Sequence, residues 1–444
     1  MNRFRLTKFT AISATWYALI LLMLANTANI IDRNIFSILL QPIKAEFGLS
    51  DSTLGLLHGL PFYLVYVLLG LPVAVLADRS NRRNIIAAAL LIFSGMTLFC
   101  GLASSFLQLF IARMGVAVGE SGCSAPAQSL ISDICPPAER GRGMSVYAVG
   151  MNLGILFGML LGGWVSQYWG WHAALIVAGG PGVVISLVIF ITLREPKRGQ
   201  FDERAVRPTS VGFVPVLRLF SSQPACRHIV FAFILLNISA AAFFNWTPSY
   251  FARSFSMSPG QLGTMLAVSF GLFGGMSALA YGSLYDRVRK KDALWQTKLP
   301  SVCCLAAMPF VAVLYSTSQM HVAILMLLVP TFLFSGFTGP VYALIHSLVH
   351  AEMRATASAI LLALSMIIGQ GVGVQFVGLL SDWFRPWAGE ESLRYALLTV
   401  VIFIPWAAIH FWLSGKALKE DGSSVARDRI SVQLKSIRSI TDRP

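Results

Sequence analysis

The sequence predicts an all-α polytopic membrane protein in which twelve transmembrane helices form two pseudo-symmetric six-helix halves. Composition, the length of the apolar stretches and an internal repeat support this fold class. Of the 444 residues, 56% are hydrophobic and 12% are charged, whereas about 25% of the residues of a soluble protein are charged. A soluble core of this size needs a polar surface that this composition does not supply. The composition therefore excludes a soluble domain, a disordered chain and a disulfide scaffold.

The apolar stretches are continuous and long enough for transmembrane helices, which need about 20 residues. The strands of a membrane barrel would instead alternate polar and apolar residues over about 10 positions. Helices also satisfy their backbone hydrogen bonds within the bilayer. We therefore predict spans 1 to 12 at residues 15–39, 53–76, 84–104, 107–131, 144–167, 173–193, 227–251, 261–284, 299–317, 321–346, 356–380 and 393–413.

The basic residues predict the orientation of the chain. An even number of spans places both termini on one side of the membrane. That side carries 28 of the 34 Lys and Arg residues, the opposite side carries 4, and 2 lie within spans. Because positively charged loops stay in the cytoplasm, we predict cytoplasmic termini in an inner or plasma membrane. The net charge of +14 is then mainly an orientation signal, and without a basic groove with interleaved aromatic residues we expect no nucleic-acid partner.

The chain divides into two similar halves. A polar stretch at 194–226 follows span 6, and Asp78-Arg79 after span 2 recurs 208 positions later as Asp286-Arg287 after span 8. Matching features at equivalent places between spans indicate duplicated six-helix halves. The predicted division is an N-terminal half at 1–193, a cytoplasmic linker at 194–226, a C-terminal half at 227–414 and a cytoplasmic tail at 415–444.

Twelve spans in two halves, with an Asp-Arg motif after spans 2 and 8, resemble the major facilitator superfamily. The resemblance extends over nearly the whole chain and implies a secondary transporter that works by alternating access. Three stretches also resemble the spinster-like group of that superfamily. They are Asn26-x-x-Asn29-x-x-Asp32-Arg33 in span 1, Ala77-Asp78-Arg79-Ser80-Asn81-Arg82-Arg83 after span 2, and Arg113 with Gly119-Glu120-Ser121 in span 4.

Four Asp, Glu, Lys or Arg side chains lie clearly inside the predicted spans, away from the span ends, where charged groups are costly and usually functional. They are Asp32 and Arg33 in span 1, and Arg113 and Glu120 in span 4. Asp32 lies roughly 10 Å and Arg113 roughly 9 Å from the outer end of its span, so the two are level. Glu120 lies two turns below Arg113 on the same helix face. The resemblance implies that spans 1 and 4 line a central cavity, so we expect Asp32, Arg113 and Glu120 to form one polar column.

This polar column predicts proton coupling. Arg113 stays charged, so Glu120 or Asp32 would carry the proton while Arg113 serves as the fixed counter-charge. Protonation of a carboxylate would release Arg113 and favour a different helix arrangement. The alternative is a static ion pair that only fixes helix packing.

Other polar residues are candidates for substrate binding. Arg33 points about 100° away from Asp32 and suits a carboxylate or a phosphate, although a packing role for it stays open. The C-terminal half has aromatic residues but no charge within its spans, so the two halves together predict an amphipathic, lipid-like anion of the lysolipid or sphingolipid type. The further candidates are Asn26, Asn29, Arg113, Asn237, Asn245, Trp246 and His346, each of which could instead be a polar residue satisfied by packing.

The resemblance also implies gating residues near the cytoplasmic side. It places Asp78 and Asp286 near the first turns of spans 11 and 5 in the opposite halves, where a carboxylate gains about 0.3–1 kcal/mol. We predict a latch that closes this side in the outward-open state, with a purely topological role of the arginines as the alternative. Its residues are Asp78, Arg79, Asp286, Arg287, Arg140 and Arg354.

Other classes of function remain as alternatives. An organic-acid proton symporter, for sugar acids or aromatic acids, is the alternative within the same superfamily. An intramembrane enzyme would need a nucleophile and a base at one depth, and no Ser/His constellation is present, so we expect no enzyme activity. The sequence has no phosphate-binding loop and no Cys-x-x-Cys, and the histidines within the spans, at 58, 346 and 410, are not four residues apart, so we expect neither a cofactor nor a metal. We expect the protein to be a monomer. Its expected partners are the substrate, protons and membrane lipids.

Overall fold

The computed structural model describes residues 2–201, 212–292 and 294–420. These residues are almost entirely helical and contain no β-strand, which confirms the all-α class. The predicted linker residues 202–211 and the tail residues 421–444 lie outside the described part of the chain, so the proposed boundaries of linker and tail stay predictions.

In the N-terminal half, helices coincide with the six predicted spans. The last helix, α7, contains spans 5 and 6 and changes direction at Gly170, whose φ of 82° is accessible to glycine without strain. The helices are α1 (Asn2–Phe47), α2 (Asp51–His58) with α3 (Leu60–Arg79), α4 (Arg82–Gly101), α5 (Phe106–Glu120) with α6 (Ser124–Ile134), and α7 (Arg140–Thr192).

In the C-terminal half, a short helix precedes six more spans. This helix is α8 (Phe213–Ser222), and π-helical turns interrupt spans 8 and 11 at Ala267–Phe273 and Ser365–Val372. The helices are α9 (Pro224–Ser254), α10 (Pro259–Leu266) with α11 (Gly274–Lys291), α12 (Trp295–Ser316), α13 (Met320–Gly336) with α14 (Thr338–Leu348), α15 (Arg354–Leu364) with α16 (Gly373–Ala388), and α17 (Ser392–Val400) with a helix at 403–420.

The helices account for twelve crossings. Among the described residues, 9 helical stretches are long and apolar enough to cross a membrane. Two of these stretches, Arg140–Thr192 and Arg354–Glu420, each contain two predicted spans. Span 4 is the twelfth, because a turn at 121–123 divides it into α5 and α6.

The two ends of the helix bundle are called here the termini end and the far end. The loops after α3, α6 and α7 lie at the termini end, where Arg82 contacts both Asp133 (2.5 Å) and Glu195 (2.8 Å). The loops after α1 and α4 lie at the far end. There the Trp171 indole, just after Gly170, donates a hydrogen bond to Glu46 at the end of α1 (2.6 Å).

The first residues of the predicted linker pack on the N-terminal half. The Arg198 guanidinium donates to the carbonyl of Ala77 (2.6 Å) and that of Ser80 (2.5 Å), and also to the carbonyl of Asp78. These carbonyls lie at the C-terminal end of α3, where a cation is stabilised by the helix dipole. Arg198 therefore holds the start of the predicted linker against the N-terminal half.

Glycines on α7 allow close helix packing. A Cβ atom added to Gly154 would lie 2.5 Å from the Cβ of Ile30 on α1. A Cβ added to Gly163 would lie 2.4 Å from the carbonyl oxygen of Pro259 on α10. Small residues permit such approach of helix backbones in a membrane. At Gly163 this contact joins the two halves at the far end.

Candidate functional site

A buried ion pair joins α1 and α5. Arg113 is fully buried, and its Nη1 donates to Oδ2 of Asp32 at 2.6 Å. The Thr97 hydroxyl donates to the other carboxylate oxygen of Asp32. The Arg113 guanidinium carbon also lies 4.2 Å from the ring centroid of Phe36 and 4.3 Å from that of Phe62. The structure thus brings together the two residues that were predicted to be level in the membrane.

A second ion pair joins the same two helices, through Arg33, the residue that follows Asp32 on α1. Arg33 Nε donates to Oε2 of Glu120 at 2.5 Å; Glu120 is fully buried, and the Arg33 side chain is 18% exposed. The Arg33 guanidinium carbon lies 4.7 Å from the centre of the Tyr66 ring. The other carboxylate oxygen of Glu120 has no hydrogen-bond partner among the described residues.

This second pair corrects one detail of the predicted polar column. Arg113 was expected to be the counter-charge of Glu120, but Arg33 has that position. The reason is the helix geometry: Asp32 and Arg33 are consecutive and point about 100° apart. They therefore reach different residues of α5, namely Arg113 and Glu120.

We expect the fully buried pair to matter more for stability than the partly exposed one. Replacing one partner of a buried ion pair leaves an uncompensated charge and costs about 3–5 kcal/mol. Arg113→Leu should therefore lower the melting temperature of the purified protein more than Arg33→Leu. The double variant Arg113→Leu/Asp32→Leu should recover part of the loss, since it leaves no unpaired charge. Equal melting temperatures for Arg113→Leu and wild type would contradict this assignment.

Arg33 lies in a central cavity between the halves. The cavity has a volume of about 270 Å³, which is close to the lower limit of about 300 Å³ for ligand pockets. His58 also lines it, and its Nδ1 lies 3.4 Å from Nη2 of Arg113. Sequence reasoning missed His58, because a single histidine in a span carries no spacing signal. The other lining residues are Asn34, Tyr63, Ile155, Phe244, Asn245, Phe270, Leu362, Ser365, Met366 and Gln370.

Among the polar residues predicted to bind substrate, Asn245 lines this cavity. Several of the others are engaged in contacts that stabilise helices. Asn29 is buried, and its Nδ2 has no hydrogen-bond partner within the described residues. The engaged residues are Asn26 with the Tyr147 carbonyl (3.0 Å), Asn237 with the Phe233 carbonyl (2.8 Å), Trp246 with the Val374 carbonyl (3.0 Å) and His346 with the Ser358 hydroxyl (2.6 Å).

A second, larger cavity adjoins the first toward the termini end. Its volume is about 470 Å³, and its walls are the side chains of α3, α6, α8 and α15. Most of these side chains are apolar. Leu362 and Met366 line both cavities, and Tyr66, which contacts Arg33, lines the larger one. A charged pocket therefore adjoins an apolar one.

A network around Asp51 joins the halves at the far end. The buried Asp51 carboxylate accepts hydrogen bonds from Lys44 (2.6 Å), from both terminal nitrogens of Arg253 (2.7 and 2.5 Å) and from the Ser381 hydroxyl (2.6 Å). Arg253 and Ser381 belong to the C-terminal half. Sequence reasoning missed this network because it treated these residues as ordinary loop charges. Lys44 and Arg253 are, however, two of only 4 basic residues predicted on that side.

The far-end network also includes the start of α2. The Asp382 carboxylate accepts from the backbone N–H of Asp51 (3.0 Å) and of Ser52 (2.8 Å). A carboxylate at the first turn of a helix satisfies free N–H groups and interacts favourably with the helix dipole. The far end is therefore closed by direct contacts between α2 and α16.

The residues of the predicted latch lie at the termini end. Asp78, Arg79, Asp286 and Arg287 are all exposed, and the Asp286 carboxylate is 3.9 Å from Arg289 on its own helix. The other two arginines of the latch donate to carbonyls of their own halves: Arg140 to Ser132 (2.9 Å) and Arg354 to His346 (3.1 Å). The structure thus has a closed far end, and a latch at the termini end stays a prediction for the opposite state.

The fold and the paired intramembrane charges are typical of a transporter, and sequence comparison agrees. Residues 22–374 match the Major Facilitator Superfamily, and the chain therefore belongs to this family. Within the superfamily the chain is spinster-like.

Three known proteins illustrate this similarity. A bacterial homolog of the human lysosomal transporter spinster, solved in an inward-facing and unoccupied conformation, is 27% identical with a TM-score of 0.84, over 92% of this chain and 98% of that one. An MFS-type efflux pump of Mycolicibacterium smegmatis is 28% identical, over 93% of this chain and 95% of its own length. The sphingosine-1-phosphate transporter SPNS2 of Danio rerio is 23% identical, over 92% of this chain and 85% of its own length.

Proposed function

We propose that this protein is a proton-coupled secondary transporter of an amphipathic, lipid-like anion, working as a monomer by alternating access. The observation that carries the proposal is the Arg33–Glu120 pair, which lies where a charged cavity meets an apolar one. The cationic Arg33 suits the head of an anion, and the apolar cavity suits its tail. The similarity to a sphingosine-1-phosphate transporter supports the same class of substrate.

The pairing of Arg33 with Glu120 suggests how proton and anion are coupled. While Glu120 is ionised, its carboxylate forms an ion pair with the Arg33 guanidinium at 2.5 Å. Protonation of Glu120 removes this negative charge, and Arg33 is then available to pair with the anionic head of a substrate. Proton and anion binding therefore favour each other at this site.

Asp32 is the second candidate for carrying a proton. Its carboxylate is held on both oxygens, by Arg113 and by Thr97. Glu120 has one free oxygen among the described residues, and its partner reaches the cavity. These contacts favour Glu120 as the main proton carrier, with the Asp32–Arg113 pair holding α1 against α5.

The two halves, 1–193 and 227–414, are proposed to move against each other. With cytoplasmic termini in an inner or plasma membrane, the termini end faces the cytoplasm. The closed far end would then be the outer gate, built on Asp51, and the structure would represent an inward-facing state. Asp78, Asp286 and their neighbouring arginines would close the opposite side in the outward-open state.

Transport in liposomes tests the proposed function. We expect liposomes that contain the purified protein to take up a single-chain lysophosphatidate faster under a proton gradient. A protonophore should abolish this acceleration. Liposomes without protein provide the control. Uptake of hexuronates or aromatic acids alone would favour the organic-acid symporter instead. Chemical conversion of the substrate by purified protein in detergent would favour an enzyme.

A further inference from the structure

Helix α8 forms one wall of the larger, apolar cavity. Phe213 and Leu217 line this cavity and are four residues apart, so they share one face of the helix. Val216 is fully buried and Phe220 is 5% exposed, which anchors the helix to the bundle. The side chain of Val214 is 68% exposed and does not line the cavity. The helix thus presents a defined apolar face to the cavity.

The position of α8 is at the end of the cavity remote from the charged pocket. Helix α8 is followed directly by the start of α9 at Pro224, and the neighbouring helix α15 begins at Arg354, both at the termini end. The opposite end of the cavity meets the central cavity at Leu362 and Met366. A chain that starts beside Arg33 and passes Tyr66 would therefore end at α8.

We infer that helix α8 sets the longest apolar tail that the transporter accepts. This inference rests on the proposed function, in which Arg33 holds the anionic head of the substrate. The volume of about 470 Å³ lies within the range of ligand pockets. Each further methylene buried in the cavity should raise affinity about fourfold, until the tail reaches Phe213 and Leu217. Beyond that length, affinity should fall.

Two substitutions change the size of the cavity in opposite directions. Leu217→Ala shortens a side chain in the wall that α8 forms and so enlarges the cavity. The tail length that binds most tightly should therefore increase. Gly70→Leu should move it to shorter tails, because Gly70 lines the cavity and an added Cβ there meets no atom within 4 Å. The expected change is about fourfold for each methylene gained or lost.

Two matched variants serve as controls. Val214→Ala shortens a side chain on the same helix that does not line the cavity. Gly95→Leu adds the same side chain to another helical glycine whose added Cβ also meets no atom within 4 Å, outside the cavity. Neither control should change the preferred tail length.

The experiment measures binding of lysophosphatidates of increasing chain length to the protein in nanodiscs. Opposite shifts for Leu217→Ala and Gly70→Leu, with unchanged controls, are the expected result. An unchanged preferred length in both variants would overturn the role of α8, and so would equal shifts in the controls. In either case continued binding by the wild type would leave the proposed function intact. If the wild type binds none of the series, the proposed function fails, and the role of α8 fails with it.

Discussion

Replacing Asp51 with asparagine is expected to open the far end of the transporter. The Asp51 carboxylate holds Lys44 on α1 and Arg253 on α9 at 2.6 and 2.5 Å, and it is nearly inaccessible to solvent. Neutralising it leaves two cations without their shared partner. Breaking a buried pair costs about 3–5 kcal/mol, which corresponds to a shift of about 100-fold or more in the equilibrium between closed and open far ends.

Spin-label distances measure this opening. Ser104 and Ser318 are exposed far-end residues of the two halves, and labelled cysteines at these positions should be further apart in Asp51→Asn than in wild type. Cys303, the partly exposed native cysteine among the described residues, is replaced by serine beforehand. Glu390→Gln is the matched control, since Glu390 forms an exposed far-end pair with Arg385 at 3.8 Å, and such pairs contribute little. Identical distances in Asp51→Asn and wild type would contradict the gate.

Replacing Glu120 with glutamine is expected to abolish proton-driven accumulation of substrate. Glutamine has nearly the shape of a protonated glutamate but cannot exchange a proton, so Arg33 would stay available at every pH. Binding of the anion should therefore become independent of pH, while uphill accumulation should fall to the level of liposomes without protein. Transport under a proton gradient and binding at several pH values measure the two effects.

Glu195→Gln is the matched control for Glu120→Gln. Glu195 is also paired with an arginine, Arg82 at 2.8 Å, but at the termini end and outside both cavities. It should retain proton-driven transport. Full uphill transport by Glu120→Gln would show that Glu120 is not the proton carrier.

The sequence was sufficient for the fold class and for the depth of the charged residues. Apolar length located the helices, and the gap between predicted spans 5 and 6 contains Gly170, where α7 changes direction. The depth of Asp32 and Arg113 along their spans predicted that they are level, because helical rise per residue is constant, and the family resemblance implied that their spans line one cavity. Their 2.6 Å ion pair confirms this expectation.

The partners across helices could not be predicted in the same way. The pairing of Arg33 with Glu120 depends on how α1 is rotated about its axis, which packing against α5 and α7 determines rather than the sequence of α1 alone. The Asp51 network depends on the approach of α2 to α9 and α16, which are more than 200 residues away in the chain. Contacts of this kind follow from tertiary packing.

Measuring distances at both ends of the protein as a function of pH tests the central claim most directly. One label pair is Ser104 with Ser318 at the far end, and the other is Ala138 with His350 at the termini end; all four residues are exposed. The distances are recorded in nanodiscs between about pH 5 and pH 8, where tuned carboxylates titrate in proteins. We predict that the two distances change in opposite directions with pH in the wild type, and that Glu120→Gln holds them at one value. Distances that do not change with pH at either end would contradict a proton-driven switch.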